Sequence, residues 1–337
     1  MRRPGGPGRS AGTGALCVLA ASVLWGTTGT AATLAPEVGP LAIGAVAMGL
    51  GGLLQALVAA PLITRHAPHL RARRGTVLLG AVSVAVYPLA FYSSMRLAGV
   101  AVGTVVSLGT APLASALIER VVDGRRLTRR WTAAAALGLL GTLLLCLAEA
   151  GHAGGGTGQA SVAATLLGVA LGLVAAGTYA VYSWAAHRLI TGGIPSRAAM
   201  GAVFGLGGLL LVPVLLATGA PLISSWTSAA VGTYMALVPM FAGYLLFGRG
   251  LSQVPASTAT TLSLLEPAVA AVLAVLVVGE RLPATGWTGI ALVIACLAVL
   301  TGPAPTARRR RRSPGRAVAA DDTDGATESD LVRPGFP

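Results

Sequence analysis

The sequence predicts an all-α polytopic membrane protein in which ten transmembrane helices form two inverted five-helix repeats. Three observations carry that expectation: too little charge to coat a water-soluble surface, ten apolar runs of spanning length, and a pattern that recurs at a fixed offset. Of 337 residues, 54% are hydrophobic and only 10% charged, with mean hydropathy +0.77, whereas soluble domains carry about 25% charge. Most of the outside must therefore meet lipid. The net charge of +13 resembles a nucleic-acid footprint until its placement is considered. All 24 basic residues are arginine, and nearly all lie between apolar runs, which belongs to membrane topology rather than to nucleic-acid binding. Cys17, Cys146 and Cys296 fall inside apolar runs without CxxC spacing and read as small core residues, so no disulfide or metal framework is expected.

A helix crosses about 30 Å of hydrocarbon with about 20 apolar residues. Ten stretches meet that requirement: 15–34, 40–62, 76–95, 101–118, 131–148, 163–186, 198–217, 228–248, 256–277 and 285–302. Barrel strands would be half as long and alternate in polarity. Arg2, Arg3 and Arg9 before the first run place the N-terminus in the cytoplasm, and ten crossings return the C-terminus there. On that topology 22 arginines lie inside and only Arg96 and Arg281 outside, so the expected location is the inner (plasma) membrane. Read instead as a cleaved signal peptide, the first run would leave nine spans and break the pairing of halves.

That pairing rests on two matching stretches. Ala111-Pro112 is followed by Gly124-Arg125-Arg126-Leu127, and Glu266-Pro267 by Gly279-Glu280-Arg281-Leu282, with both the prolines and the leucines offset by 155 residues. One copy then takes about half the chain with five spans. Five is odd, so the second copy enters the bilayer from the opposite side, an arrangement in which two halves share a midplane site. The expected organisation is an N-terminal tail 1–14, a first repeat 15–150, a Gly-rich linker 151–162, a second repeat 163–302, and an Arg-rich tail 303–337. In that tail Arg308 to Arg312 suit anionic lipid headgroups.

At these residues the chain resembles the drug/metabolite transporter superfamily, in its EamA branch, over roughly residues 15–302. The first copy supplies Leu24-Trp25-Gly26-Thr27, like the family's opening motif; the second supplies Leu265-Glu266-Pro267 and Val278-Gly279-Glu280-Arg281-Leu282. There are departures. Arg125 stands where the family's turn usually has Glu, and the run after Pro40 passes unbroken through Ala47 and Met48, without the arginine often found there. The resemblance implies export or import of a small metabolite, amino acid or drug and does not choose the substrate; the expected function is a secondary transporter working by alternating access, with efflux as the expected direction.

Glu266 is the only charged residue inside the ten expected spans. A central carboxylate costs at least about 2.5 to 3.5 kcal/mol to insert, so it must face protein or water or stay protonated. That makes it a candidate for proton coupling or cation binding, and equally for a hydrogen-bonded tie between helices. Pro112 and Pro267 each remove a helix hydrogen bond and mark expected kinks. Trp25 and Thr28, Tyr87, Tyr179, Ser263 and Glu266 form the expected substrate-binding set; for any single aromatic, plain packing is the competing reading. Ser257, Thr258, Thr260 and Thr261 are expected to bond between helices, and the GxxxG pairs Gly168 to Gly172 and Gly201 to Gly205 to permit close packing. Trp131, Trp226 and Trp287 read as interfacial anchors, and Glu280 with Pro283 as shaping the turn into the last span.

A P-loop is excluded because the chain has no lysine. The competing function is a membrane-embedded enzyme acting on a lipid or isoprenoid, but His66, His69, His152 and His187 read as loop residues with no HExxH or DxD motif. No catalytic residue, cofactor or metal is expected. The expected partners are the lipid bilayer, a small-molecule substrate and a proton or cation, with no nucleic acid, in a monomer or homodimer.

Overall fold

The computed structural model describes residues 7–152, 162–278 and 281–302. Most of the expected Gly-rich linker, Glu280, the first six residues and the tail with Arg308 to Arg312 lie outside the described residues. The described chain is helical without strands. Ten helices are long and apolar enough to cross a membrane: α1 Gly12–Ala32, α2 Pro40–Arg65, α3 Arg74–Ala98, α4 Val102–Val122, α5 Arg129–Ala148, α6 Val162–Thr191, α7 Ser196–Thr218, α8 Trp226–Leu251, α9 Ala256–Val277 and α10 Ala284–Thr301. Large apolar side chains such as Leu57, Leu166, Leu209 and Leu216 point outward and exposed. Such a surface is stable against lipid tails and not against water. The protein is a multi-pass membrane protein.

Several helices outrun their apolar runs, and in α6 and α4 the extension changes the reading of a residue. α6 continues past 186 to Thr191 and closes where Gly193 takes φ 95°, a conformation that suits glycine. The Gly193 N–H then donates to the Ile190 carbonyl and the Ile194 N–H to that of Leu189, with Leu189 and Ile194 both buried. His187 therefore lies in a helix rather than a loop, with its ring Nδ1 2.7 Å from the Leu251 carbonyl oxygen. α4 continues past 118 to Val122, so Glu119 lies within the span and is 1% exposed. Glu266 is thus not the only charged residue inside the spans.

The packing follows the repeat. Four of its helix pairs are α2 with α7, α5 with α10, α3 with α6, and α1 with α8. Exchanging each helix for its counterpart five places along leaves the first two pairs unchanged and turns the third into the fourth, as a pseudo-twofold axis requires. Glycines set these contacts. A Cβ at Gly141 of α5 would lie 2.8 Å from the Gly289 carbonyl oxygen, and one at Gly289 of α10 would lie 2.7 Å from that of Gly141. Along α2 and α7, Gly52 abuts the Phe204 carbonyl and Gly205 the Ala56 side chain, while Gly168 and Gly172 of α6 lie against Ala98 and Val106. Both expected GxxxG pairs therefore sit at helix contacts, where the missing side chain lets backbones approach.

Trp131 departs from its expected interfacial role. It is 7% exposed, packed under α9, and its Nε1–H donates to the Ser257 carbonyl at 3.3 Å. Trp226 and Trp287 are exposed at helix starts. Beside Trp131, Arg130 donates to the carbonyls of Val299, Leu300 and Gly302, capping the C-terminal end of α10.

Candidate functional site

Several spans are interrupted within their length. α1 breaks at Thr27, between helical pieces Pro7–Gly26 and Thr28–Ala32, and α9 breaks between Leu262 and Leu265. In α9 the cause is Pro267: lacking an N–H, it cannot bond the Ser263 carbonyl, which instead accepts from the Glu266 N–H at 2.9 Å. In α4 a π-helical turn, Val105–Gly109, precedes Pro112. α8 carries another, Ala236–Ala242, around Pro239, a break the sequence reading passed over.

The breaks in α1 and α9 face each other. A Cβ on Gly26 would meet the Val269 side chain at 2.7 Å and the Glu266 carbonyl oxygen at 2.9 Å, so only glycine lets these backbones touch. The opening motif and the Leu-Glu-Pro motif thus become one site. The hydroxyls of Thr27 and Thr28 donate to carbonyls three residues earlier, at Leu24 and Trp25, and satisfy the broken turn. Trp25 reaches into the α8 break, where its Nε1–H donates to the Pro239 carbonyl at 2.9 Å.

Between the halves lies a cavity of about 40 Å³, room for water and not for a metabolite in this conformation. Of the expected substrate-binding set, Trp25, Thr28, Tyr87, Tyr179 and Glu266 line it; Ser263 does not. Ser263 stands behind the wall, accepting from the Tyr179 hydroxyl at 2.8 Å and donating to the Thr260 carbonyl at 2.8 Å. It therefore orients a lining side chain. Glu266 lies halfway along the 22-residue α9. Sequence reasoning missed Gly44, Phe91, Tyr92, Met240 and Tyr244 as lining residues. The signal for Tyr92 was present, since it follows Tyr87 and Phe91 on one helix. Tyr244 had no such signal, because only the crossing of α8 over α1 brings its ring within 4.8 Å of Trp25.

The lining has a definite electrostatic character. Six aromatic rings surround one carboxylate, and no basic side chain is present. Ala47 and Met48, which depart from the family's arginine, are both lining residues and account for that absence. The rings support one another: Tyr179 stacks on Tyr182 at 5.2 Å, and the hydroxyls of Tyr182 and Tyr244 are 2.8 Å apart.

Above and below the cavity, two carboxylates clasp the first half to the second. At the arginine-rich face, Glu119 of α4 accepts from the backbone N–H of Ser257 at 3.1 Å and from its hydroxyl at 2.7 Å, capping the start of α9. At the opposite face, Glu37 accepts from the Ser228 hydroxyl at the start of α8. Glu119 was overlooked because it sits beyond the apolar run. Its spacing from Ser115 and Ala116, both buried on the same helical face, was the signal that could have placed it. Of the four hydroxyl residues in α9 expected to bond between helices, Ser257 does so, whereas Thr260 and Thr261 donate to carbonyls of their own helix. Among the described residues, no three His, Cys, Asp or Glu side chains gather to hold a metal ion.

Comparison with known proteins agrees with this architecture. The sequence profile of the EamA-like transporter family matches residues 12–147 and again 166–302. The chain is similar to the uncharacterized transporter YwfM of Bacillus subtilis strain 168, 36% identical over 291 residues that cover 85% of this chain and 93% of that protein. It is also similar to the threonine/homoserine exporter RhtA of Salmonella typhimurium strain SL1344, 28% identical over 87% of this chain and 91% of that protein. A protein crystal structure with 22% sequence identity superposes with a TM-score of 0.68, covering 85% of this chain and 95% of its own, and shows the shared fold.

Proposed function

The chain belongs to the EamA-like transporter family, and on that premise we propose that it is a secondary transporter exporting a small, positively charged solute across the bacterial cytoplasmic membrane by alternating access. The observation that carries this reading is the narrow cavity between the two repeats, lined by six aromatic rings and a single carboxylate without a basic partner. Aromatic faces and a carboxylate attract an ammonium group, whereas a solute carboxylate would find no basic side chain there. RhtA, named for the export of threonine and homoserine, supports the outward direction.

The broken helices support the mechanism. Half-helices around a midplane site can swing without dismantling the rest of their spans, and at about 40 Å³ the cavity must open to admit solute. Opening the arginine-rich face means parting Glu119 from Ser257, and opening the other means parting Glu37 from Ser228. In this reading Glu266 binds the solute cation or a proton in turn, Trp25, Thr28, Tyr87 and Tyr179 contact the solute, and Pro112 and Pro267 mark the hinges. The arginine distribution supports cytoplasmic N- and C-termini.

Counterflow in proteoliposomes against amino acids, nucleosides and cationic drugs, with wild type and Glu266→Gln at several pH values, tests the reading. Cationic solutes should exchange fastest. Glu266→Gln should slow exchange of cationic solutes and lose accumulation driven by a proton gradient. Accumulation unchanged in that variant would return Glu266 to a structural role, and exchange confined to uncharged or zwitterionic solutes would overturn the cation preference.

A further inference from the structure

A second, larger hollow lies away from the central cavity, on the flank where α2, α3 and α7 meet. It encloses about 620 Å³ and spans both repeats, since α2 and α3 belong to the first and α7 to the second. Its shape follows from the sequence. Gly201 and Gly205 let α7 close on Ala59 and Ala56 of α2 at the floor, and Leu53, Leu78, Leu206 and Leu209 wall the groove. Leu78, Leu206 and Leu209 are exposed, so the groove opens sideways toward lipid rather than into the protein.

Its two ends differ in chemistry. Along α2 the lining runs from Leu53 to Thr64, a rise of about 16 Å at about 1.5 Å per residue. That matches one leaflet, half of a hydrocarbon core of about 30 Å. At the mouth, on the arginine-rich face, stand Arg71 and Arg74, both exposed, and no acidic residue lines the groove. Neither arginine has an ion-pair partner among the described residues, where the two ion pairs are those of Arg125 with Glu119 and Arg188 with Asp123. An apolar trough one leaflet deep, closed at the surface by two unpaired guanidinium groups, complements a molecule with an acyl chain and a negatively charged phosphate head.

We propose that this groove is a binding site for an anionic phospholipid of the leaflet at the arginine-rich face, with an acyl chain along the leucine walls and the phosphate held by Arg71 and Arg74. Guanidinium groups suit phosphate oxygens because several N–H donors are presented in one plane. A lipid seated there touches both repeats at a contact they share, which makes it a candidate to stabilise their relative position. The site is independent of what the central cavity carries.

The test is native mass spectrometry of the full-length protein exchanged into detergent with phosphatidylglycerol or phosphatidylcholine of matched chains. Wild type should retain phosphatidylglycerol at least tenfold over phosphatidylcholine. The double variant Arg71→Gln, Arg74→Gln should lose that preference, and Ala202→Trp, which fills the groove and keeps both arginines, should lose the bound lipid. Arg73→Gln serves as control, since the Arg73 guanidinium packs on Gly192 outside the groove lining. Glycerophosphoglycerol, the headgroup without chains, should not displace the lipid. Equal retention of the two lipids by wild type needs no variant to be read and would overturn the proposal; so would an unchanged preference in the double variant, or displacement by the chain-free headgroup.

Discussion

Glu37 and Glu119 show how differently one side chain behaves at the two faces of the same protein. Glu37 is exposed in the loop between α1 and α2, and its carboxyl titrates below its ordinary value of 4.5, first because the Ser228 hydroxyl donates to it and then because its own backbone N–H does. A carboxylate whose pKa is depressed on folding contributes stability at neutral pH, and that contribution is lost as the pH falls through the folded-state value. Side-chain carbon NMR of labelled glutamate should therefore find Glu37 titrating below 4.5 in wild type and shifted back toward it in Ser228→Ala. A wild-type titration at or above the ordinary value would remove the clasp from that face. Glu119 is buried, and its two donors lie on a different repeat. Neither partner could be read from the sequence, because Ser228 and Ser257 are brought to the two carboxylates by tertiary packing alone.

Helices in this protein are specified less by what they contain than by what they omit. The seam between α2 and α7 is the clearest case: a Cβ on Gly52 would lie 2.2 Å from the Phe204 carbonyl oxygen, and backbone cannot move aside as a side chain can. Gly52→Ala should destabilise the protein by about 1–3 kcal/mol, the range for overpacking, read as a lower midpoint in thermal unfolding in detergent. Gly177→Ala on α6 meets nothing within 4 Å and should leave the midpoint unchanged or slightly raised. Equal loss from both substitutions would mean that helix propensity rather than contact sets the effect. The interrupted spans obey the same logic. Pro112 and Pro267 were legible as break points because proline lacks a donor wherever it sits, but the companion break at Pro239 acquires its meaning from Trp25, whose indole takes the Pro239 carbonyl from 214 residues away.

For the chain as a unit, the odd number of spans in each repeat has a direct topological consequence. The turns holding Arg125 and Arg281 occupy matching places in the two copies, yet five crossings separate them from each other. With Cys17, Cys146 and Cys296 replaced, single cysteines at Arg125 and Arg281 should react with a membrane-impermeant maleimide from opposite sides of the bilayer, Arg125 from the cytoplasmic side. Labelling of both from one side would contradict the inverted repeat and remove the shared cavity on which the proposed transport depends.

The amino-acid order was sufficient for the number of spans, the recurrence of a five-helix unit and the candidate residues Trp25, Tyr87, Tyr179 and Glu266. These follow from properties that each segment has on its own: about 20 apolar residues cannot remain in water, and a carboxylate in such a run requires company. What it could not supply was company itself. That Gly26 meets Glu266, that Ser263 supports the wall instead of forming it, that Ala47 and Met48 leave the cavity without a cation, and that Glu119 bonds Ser257 are facts about pairs of residues far apart in the chain. Inside a membrane, hydrophobicity drives a helix into lipid but does not choose its neighbour; that choice is made by shape and hydrogen bonding, which exist only once the helices have met.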